Sequence, residues 1–210
     1  PPAMALGTNK LQAFGGALSA SIYFLRKRAV NLSEFSFILL VIFIGSVIGT
    51  LLIQSLDALL IKKGLPFLIL AIGLYFLFTP KLGESDRKQR ISYAVFALCF
   101  GSLLGFYDGF FGPGTGSFIL FAFLMVGFDF IGAAANARAL NFASNIAAAV
   151  LFSYYGLVDF SYAIPMGLSM IIGAWCGART ALSKGTGYVR PLFIVMTTVL
   201  IGKQLLDLFK

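Results

Sequence analysis

The stretch from Phe35 to Leu56, FSFILLVIFIGSVIGTLLIQSL, decides the class of fold. It carries no charged side chain, and its length matches the roughly 17–25 apolar residues that a helix needs to cross the hydrocarbon core of a bilayer. Other uncharged windows follow it along the chain, so the sequence predicts a polytopic membrane protein. These windows are Gly64–Pro80, Ile91–Tyr107, Ala139–Val158 and Phe160–Ala178.

The composition excludes a soluble domain. Of the 210 residues, 59% are hydrophobic and 11% are charged, whereas roughly a quarter are charged in an ordinary soluble domain. The windows are apolar on all sides and do not alternate, which favours helices over the strands of a membrane β-barrel. The net charge of +8 comes from Lys and Arg in short loops, a pattern typical of membrane topology and not of nucleic-acid binding.

Residue types that commonly bind metals or cofactors are scarce in this chain, and their positions predict no such site. Histidine is absent, and Cys99 and Cys176 lie inside apolar windows without the spacing of a metal site. We interpret both cysteines as helix-packing residues and expect no cofactor.

Windows and turn signals together predict an all-α bundle of transmembrane helices. The polar stretch 81–90 has the sequence KLGESDRKQR and follows Pro80. It divides the chain into 1–80 and 91–210. By the positive-inside rule it should be a cytoplasmic linker, as should Arg26–Arg28. The predicted helices cover residues 10–26, 34–60, 65–79, 91–107, 116–128, 138–154, 160–182 and 188–209.

The two parts match as internal repeats at an offset of 128 residues. The cation Lys10 then meets Arg138, and the pairs Gly45/Gly49 and Gly173/Gly177 coincide. The segment 91–127 has no mate, so the first repeat is expected to lack an opening of about 35–40 residues, and the chain to be N-terminally incomplete. A periplasmic loop around Asp159, opposite its cytoplasmic mate near residue 31, would make the repeats inverted.

A glycine-rich break, Gly105–Phe118 with the sequence GFYDGFFGPGTGSF, interrupts the apolar windows. Backbone freed from helical bonding must be buried in protein or line a watery cavity, as in the broken or re-entrant helices of transporters. The helix that starts near Thr115–Ser117 would favour an anion at its N-terminus. A tight turn at the membrane surface is the alternative. A nucleotide-binding loop is excluded, because the Lys-Ser/Thr ending is missing.

Two segments place amides beside a cation: Thr8-Asn9-Lys10-Leu11-Gln12, and Asn136–Asn145 around Arg138. We expect each on the first turn of a membrane helix, where two facing half-sites would form one anion pocket. Cations that reach to the lipid headgroups are the alternative.

The remaining motifs allow two interpretations each. Gly45-x-x-x-Gly49 and Gly173-x-x-x-Gly177 are predicted to pack helices closely rather than to contact substrate. Asp108 is interpreted either as a proton carrier within the membrane or as a cap of nearby backbone N–H groups.

The glycine-rich string Gly105–Gly116, with Thr8–Gln12 and Arg138–Asn145, strongly resembles the sulfite exporter TauE/SafE family of bacterial membrane transporters, in particular its YfcA-type branch. The resemblance covers essentially the whole chain, although members usually carry an earlier glycine-rich segment. It implies a substrate among sulfur oxyanions and organosulfonates, whereas the residues themselves indicate only an anion.

The combined prediction is a secondary transporter, an exporter of sulfite or organosulfonates, in several passes through the bacterial inner membrane. A channel-like pore or membrane-embedded enzyme is the alternative. Expected partners are the lipid bilayer, the small anion and a coupling proton or ion, without nucleic acid. The candidate substrate-binding residues are Thr8, Asn9, Lys10, Gln12, Asp108, Gly112, Gly114, Thr115, Gly116, Ser117, Arg138, Asn141 and Asn145.

Overall fold

The secondary structure is helical throughout the described part of the chain. In the computed structural model, that part comprises residues 2–27, 32–53, 91–112 and 114–192, together with 195, 196 and 199. The predicted helix 65–79 and the linker 81–90 lie outside it. The helices are α1 (Pro2–Arg26), α2 (Leu32–Ile53), α3 (Tyr93–Phe110), α4 (Thr115–Val126), α5 (Phe130–Tyr154) and α6 (Phe160–Lys184), and residues 186–192 are also helical.

Three of these helices are long and apolar enough to cross a membrane: Phe35–Ile53 within α2, Tyr93–Phe110 and Phe160–Lys184. In contrast, α4 has 12 residues, which at 1.5 Å per residue is about 18 Å and falls short of the roughly 30 Å of hydrocarbon. The described chain is therefore a multi-pass helical membrane protein that contains at least one short apolar helix.

The helices α1 and α5 begin eight residues earlier than predicted, at Pro2 and Phe130. The prediction that Lys10 and Arg138 sit on first helical turns is therefore wrong. In the sequence, Lys10 and Arg138 mark the ends of uncharged windows. In the structure, both cations lie inside helices, where the surrounding protein accommodates them. The signal for the true start of α5 was Asp129, whose carboxylate accepts hydrogen bonds from the Ile131 and Gly132 N–H groups.

Glycines bring α2 and α3 into close contact. A Cβ atom at Gly45 would lie 2.7 Å from the Ser102 carbonyl oxygen, and one at Gly49 would overlap the Phe106 carbonyl. From the opposite side, Gly105 and Gly109 of α3 meet the backbone of α2 in the same way. The packing role predicted for Gly45 and Gly49 is confirmed.

The central helix, α5, packs against α1 and α2. It runs antiparallel to α1, because Ala20 clusters with Ala135 near one end while Gly7 approaches Phe152 near the other. It runs parallel to α2, since Ser46 contacts Ser144 and Ile53 clusters with Phe152. The helix α6 lies along α1 in parallel, from the contact of Thr8 with Asp159 to the Tyr23–Trp175 ring pair.

Aromatic rings gather the ends of three helices at one side of the bundle. The ring of Phe35, at the start of α2, lies 4.9 Å from that of Tyr93 at the start of α3. It also lies 6.2 Å from the ring of Phe128, just beyond the end of α4. Therefore α3 leaves this end of the bundle and α4 returns to it, with the glycine-rich break at the turn.

Candidate functional site

A cavity of about 1260 Å³ lies between α1, α3, α4, α5 and α6. Its walls are mainly apolar, with a polar band contributed by residues that the sequence singled out. The charged residues in the described part of this lining are Lys10, Asp108 and Arg138. The predicted site residues that line the cavity are Asn9, Lys10, Asp108, Gly112, Gly114, Thr115, Gly116, Ser117, Arg138, Asn141 and Asn145.

Lys10 and Asp108 form an ion pair in the cavity wall, with 2.6 Å between Lys10 Nζ and Asp108 Oδ1. Each side chain is only 2% exposed, and the second carboxylate oxygen of Asp108 accepts a hydrogen bond from the Ser144 hydroxyl. The alternative that Lys10 reaches the headgroups is wrong for this structure, while its role in substrate binding stays a prediction. The backbone-capping alternative for Asp108 also fails, because its carboxylate faces side chains from α1 and α5.

Arg138 is the cation of the cavity that this ion pair does not neutralise. It lies in the third turn of α5 and is exposed to the cavity. Among the described lining residues, Asp108 is the one acidic side chain, and it pairs with Lys10 rather than with Arg138. One anion and two cations give this described part of the lining a net charge of +1.

The break joins the ion pair to the start of α4. Gly112 has φ of 93° and Gly114 has φ of 82°, left-handed values that favour glycine. A Cβ atom at Gly112 would lie 2.9 Å from Lys10 Cε, so the loop can pass the lysine only without a side chain. Thr115 and Gly116, expected in the break, are instead the first residues of α4.

The N-terminus of α4 is partly bonded within its own turn. The Thr115 N–H donates to the Gly112 carbonyl at 3.1 Å, and the Ser117 N–H donates to the Gly114 carbonyl at 2.9 Å. The expectation of free N–H groups along Gly114–Ser117 is thus wrong for two of them. What remains for a ligand at this helix end is the positive end of the dipole and the side chain of Ser117, which lines the cavity.

The amides of α5 face the break, as predicted. A Cβ atom at Gly116 would lie 3.9 Å from Asn141 Oδ1, so the start of α4 and this amide are neighbours. Asn145, four residues further on, is buried, and its amide N–H donates to the Asn141 carbonyl at 2.6 Å. Its carboxamide is therefore partly occupied by the helix itself.

Two predicted site residues lie elsewhere. Thr8 and Gln12 line a smaller cavity of about 380 Å³ between α1 and the start of α6. Thr8 has a structural role, because its hydroxyl oxygen accepts a hydrogen bond from the Asp159 N–H at 2.9 Å and fixes the start of α6. Helical spacing is the signal for this division, since residues two positions apart, such as Thr8 and Lys10 or Lys10 and Gln12, face different sides of a helix.

The packing roles predicted for the second glycine pair and for the cysteines are not seen among the described residues. In that part of the chain a Cβ atom at Gly173 or Gly177 would have no neighbour within 4 Å, and both glycines line the large cavity. Cys99 and Cys176 are exposed on the outside of the described bundle. Apolar windows alone do not tell which helix face is covered.

Sequence reasoning missed the role of Ser144. Its hydroxyl donates to Asp108, while its carbonyl accepts from the Ser46 hydroxyl at 2.7 Å, so it connects α2, α3 and α5. A signal was present, because Ser144 follows Asn141 by three residues, a spacing that places the two side chains beside each other on the helix.

The comparisons with known proteins agree with this membrane architecture. The family model described as "Sulfite exporter TauE/SafE" matches residues 1–203. No solved structure shows a significant match.

Three relatives illustrate the similarity. The chain is 56% identical over 208 residues to a "Probable membrane transporter protein" of Haemophilus influenzae, covering 99% of this chain and 82% of the relative. It is 45% identical over 207 residues to the "Probable membrane transporter protein YfcA" of Escherichia coli K12, covering 98% and 77%. It is 40% identical over 208 residues to the "Probable membrane transporter protein ORF9" of Sinorhizobium sp, covering 99% and 80%. The chain therefore belongs to the TauE/SafE family, which is a family of membrane transporters and not of enzymes.

Proposed function

We propose that this protein is a secondary transporter that exports small anions, sulfite or organosulfonates, across the bacterial inner membrane. The observation that carries the proposal is Arg138, a cation exposed to a cavity in which the other cation, Lys10, is already neutralised by Asp108. An unpaired charge inside a membrane protein is costly and is a mark of function. An anion is the ligand that would balance it.

The polar groups that share the cavity with Arg138 can bind the oxygen atoms of a sulfonate or sulfite. A guanidinium offers several N–H donors to one oxyanion. The Asn141 amide and the Ser117 hydroxyl line the same cavity, and the positive end of the α4 dipole lies next to Asn141. The sulfur content of the substrate rests on the family alone, because this chemistry would accept other small oxyanions as well.

The depth of the ion pair supports a binding site near the middle of the membrane. Asp108 contacts α5 at Ser144, which lies about 21 Å along the helix from Phe130 and about 15 Å from Tyr154. Since α4 returns to the end where α3 begins, we propose that α3 and α4 form a re-entrant pair whose break reaches this depth.

Two inverted repeats would supply the alternating access. The repeat mates α1 and α5 run antiparallel and touch where Phe14 stacks on Phe142 at 5.5 Å, positions that are equivalent at the 128-residue offset. The α1–α6 contact is mirrored by the α5–α2 contact, and both pairs are parallel. This arrangement is what an axis in the membrane plane would produce, with 1–80 and 91–210 as the two repeats and 81–90 as their linker.

Charge at the two ends of the bundle supports one orientation. Arg26, Lys27 and Lys184 lie at the end where α2 begins, whereas Asp159 lies at the opposite end. By the positive-inside rule, the basic end is proposed to be cytoplasmic.

A flux assay in proteoliposomes tests the proposal, with sulfite, sulfoacetate, thiosulfate and chloride as probes. We expect saturable flux and counterflow of at least one sulfur anion. Arg138→Gln should reduce anion affinity by roughly 10- to 100-fold, as expected for the loss of a hydrogen bond to a charged group. Arg179→Gln is the matched control, because Arg179 is an exposed arginine of α6 outside the cavity lining.

The outcomes separate the candidates. Flux that rises linearly with concentration and shows no counterflow would indicate a pore. Equal losses of folded yield and flux in Arg138→Gln would favour a structural arginine that reaches the headgroups.

A further inference from the structure

The buried ion pair invites a functional explanation, because stability alone does not account for it. Lys10 and Asp108 are each 2% exposed, and removing two charges from water costs several kcal/mol per ion before their attraction offsets it. Apolar residues of similar size are often as stable at such positions. Both side chains nevertheless form part of the wall of the cavity that contains Arg138.

From this geometry we propose that Asp108 binds a proton together with the transported anion, so that one proton is taken up with each anion bound. The inference rests on the proposed function. When Asp108 is ionised, it occupies the ammonium group of Lys10. When Asp108 is protonated, Lys10 becomes a second free cation in the cavity, and the charge of the described lining rises by one unit. An anion can then replace Asp108 as the partner of Lys10.

The surroundings of Asp108 restrict the groups that can titrate with it. Among the described residues, the charged or titratable groups facing it are Lys10 from α1 and, on its own helix, Tyr107. The helix α5 contributes the Ser144 hydroxyl and, further along the cavity, Arg138. From α2 and α4 the nearby polar groups are hydroxyls, those of Ser46, Thr50 and Thr115.

Linkage gives the proposal a quantitative form. If protonation of Asp108 strengthens anion binding, the anion must strengthen proton binding by the same factor. Over the pH range in which Asp108 is ionised in the free protein, anion affinity should then fall about tenfold per pH unit, which corresponds to about one proton taken up per anion.

Calorimetry on the purified chain in detergent measures this uptake directly. The probes are methanesulfonate and sulfate, whose own charges stay constant over neutral pH. Titrations in buffers of different ionisation enthalpy give the number of protons bound per anion. We expect about one for the wild type and for Asp129→Asn, a control whose side chain caps α5 away from the cavity. We expect none for Asp108→Asn.

Ser144→Ala provides a second variant in case Asp108→Asn does not fold. Loss of the hydroxyl removes a hydrogen bond to the ionised carboxylate. The pH at which anion affinity begins to fall should therefore move upward, with the slope unchanged.

Each outcome has a distinct meaning. Saturable anion binding without proton uptake in the wild type would overturn the coupling and leave the proposed transport intact. So would a normal uptake by Asp108→Asn or an unchanged pH profile of Ser144→Ala. Failure of the wild type to bind or transport any sulfur anion would overturn the proposed function and the coupling with it.

Discussion

Replacing Gly45 by alanine should weaken the contact between α2 and α3, whereas the same change at Gly173 should not destabilise the protein. The two glycines stand 128 residues apart, and each begins a small-xxx-small spacing. Their surroundings differ, because a Cβ atom at Gly45 would lie 2.7 Å from the Ser102 carbonyl oxygen, while one at Gly173 would meet no described residue within 4 Å.

The size of the effect follows from the overlap. An ordinary contact begins near 3.4 Å, so α2 and α3 would have to separate by about 0.7 Å against backbone atoms that cannot rotate away. Such overpacking costs about 1–3 kcal/mol. Alanine recovers up to about 1 kcal/mol through its higher helix propensity. With the full recovery, the net loss at Gly45 is about 0–2 kcal/mol, whereas Gly173→Ala should be neutral or stabilising by up to about 1 kcal/mol.

Graded SDS denaturation in mixed micelles, followed by far-ultraviolet circular dichroism, measures the free energy of unfolding of both variants. Gly49→Ala, whose Cβ atom would overlap the Phe106 carbonyl, should behave like Gly45→Ala. Equal stability of the Gly45 and Gly173 variants would refute the close α2–α3 contact and the reasoning built on it.

Three further predictions address the site and its orientation. Gly114→Val should abolish anion flux while membrane insertion persists, because Gly114 has φ of 82° and a β-branched residue is strongly disfavoured there. Normal flux in a proteoliposome assay would contradict the role of the break. Lys10→Met should reduce the free energy of unfolding by about 3–5 kcal/mol, since it leaves a buried carboxylate unpaired. The double variant with Asp108→Asn should recover much of that loss. An equally unstable double variant would argue against the ion pair. In a Cys-free background, a cysteine introduced at Lys27 should react with an impermeant reagent from the cytoplasmic side, and one introduced at Asp159 from the periplasmic side. Labelling of both from one side would exclude the proposed orientation.

The class of fold could be predicted because it depends on composition alone. A window such as Phe35–Leu56 has no alternative in water, and its helix appears in the structure as α2. The start of α5 was predicted wrongly, since the charge of Arg138 suggested the end of an apolar window although Asp129 offers an N-cap directly before Phe130. Only the fold shows that a cavity accommodates this charge within the membrane helix.

The chemistry of the side chains was enough to predict which residues belong to the candidate site. It was not enough to predict which residues they contact in the fold. Arg138, Asn141 and the break line one cavity as expected, because the break and α5 carry unusual polar groups for a membrane. The pairing of Lys10 with Asp108 was missed, since it joins residues 98 positions apart, and sequence spacing predicts only neighbours within one helix. Gly173 shows the same limit, because a spacing typical of packing does not reveal whether a neighbour is present.

The distance along the chain between Lys10 and Asp108 also sets the order of events during biosynthesis. The lysine enters the translocon with α1, where a cation at the helix centre disfavours insertion by about 2.5–3.5 kcal/mol. Its counterion follows 98 residues later, a delay of roughly 5–20 s at ordinary rates of synthesis. During that interval the Lys10 ammonium group lacks the carboxylate that pairs with it in the folded protein. The bridge can therefore form only after α3 has been synthesised.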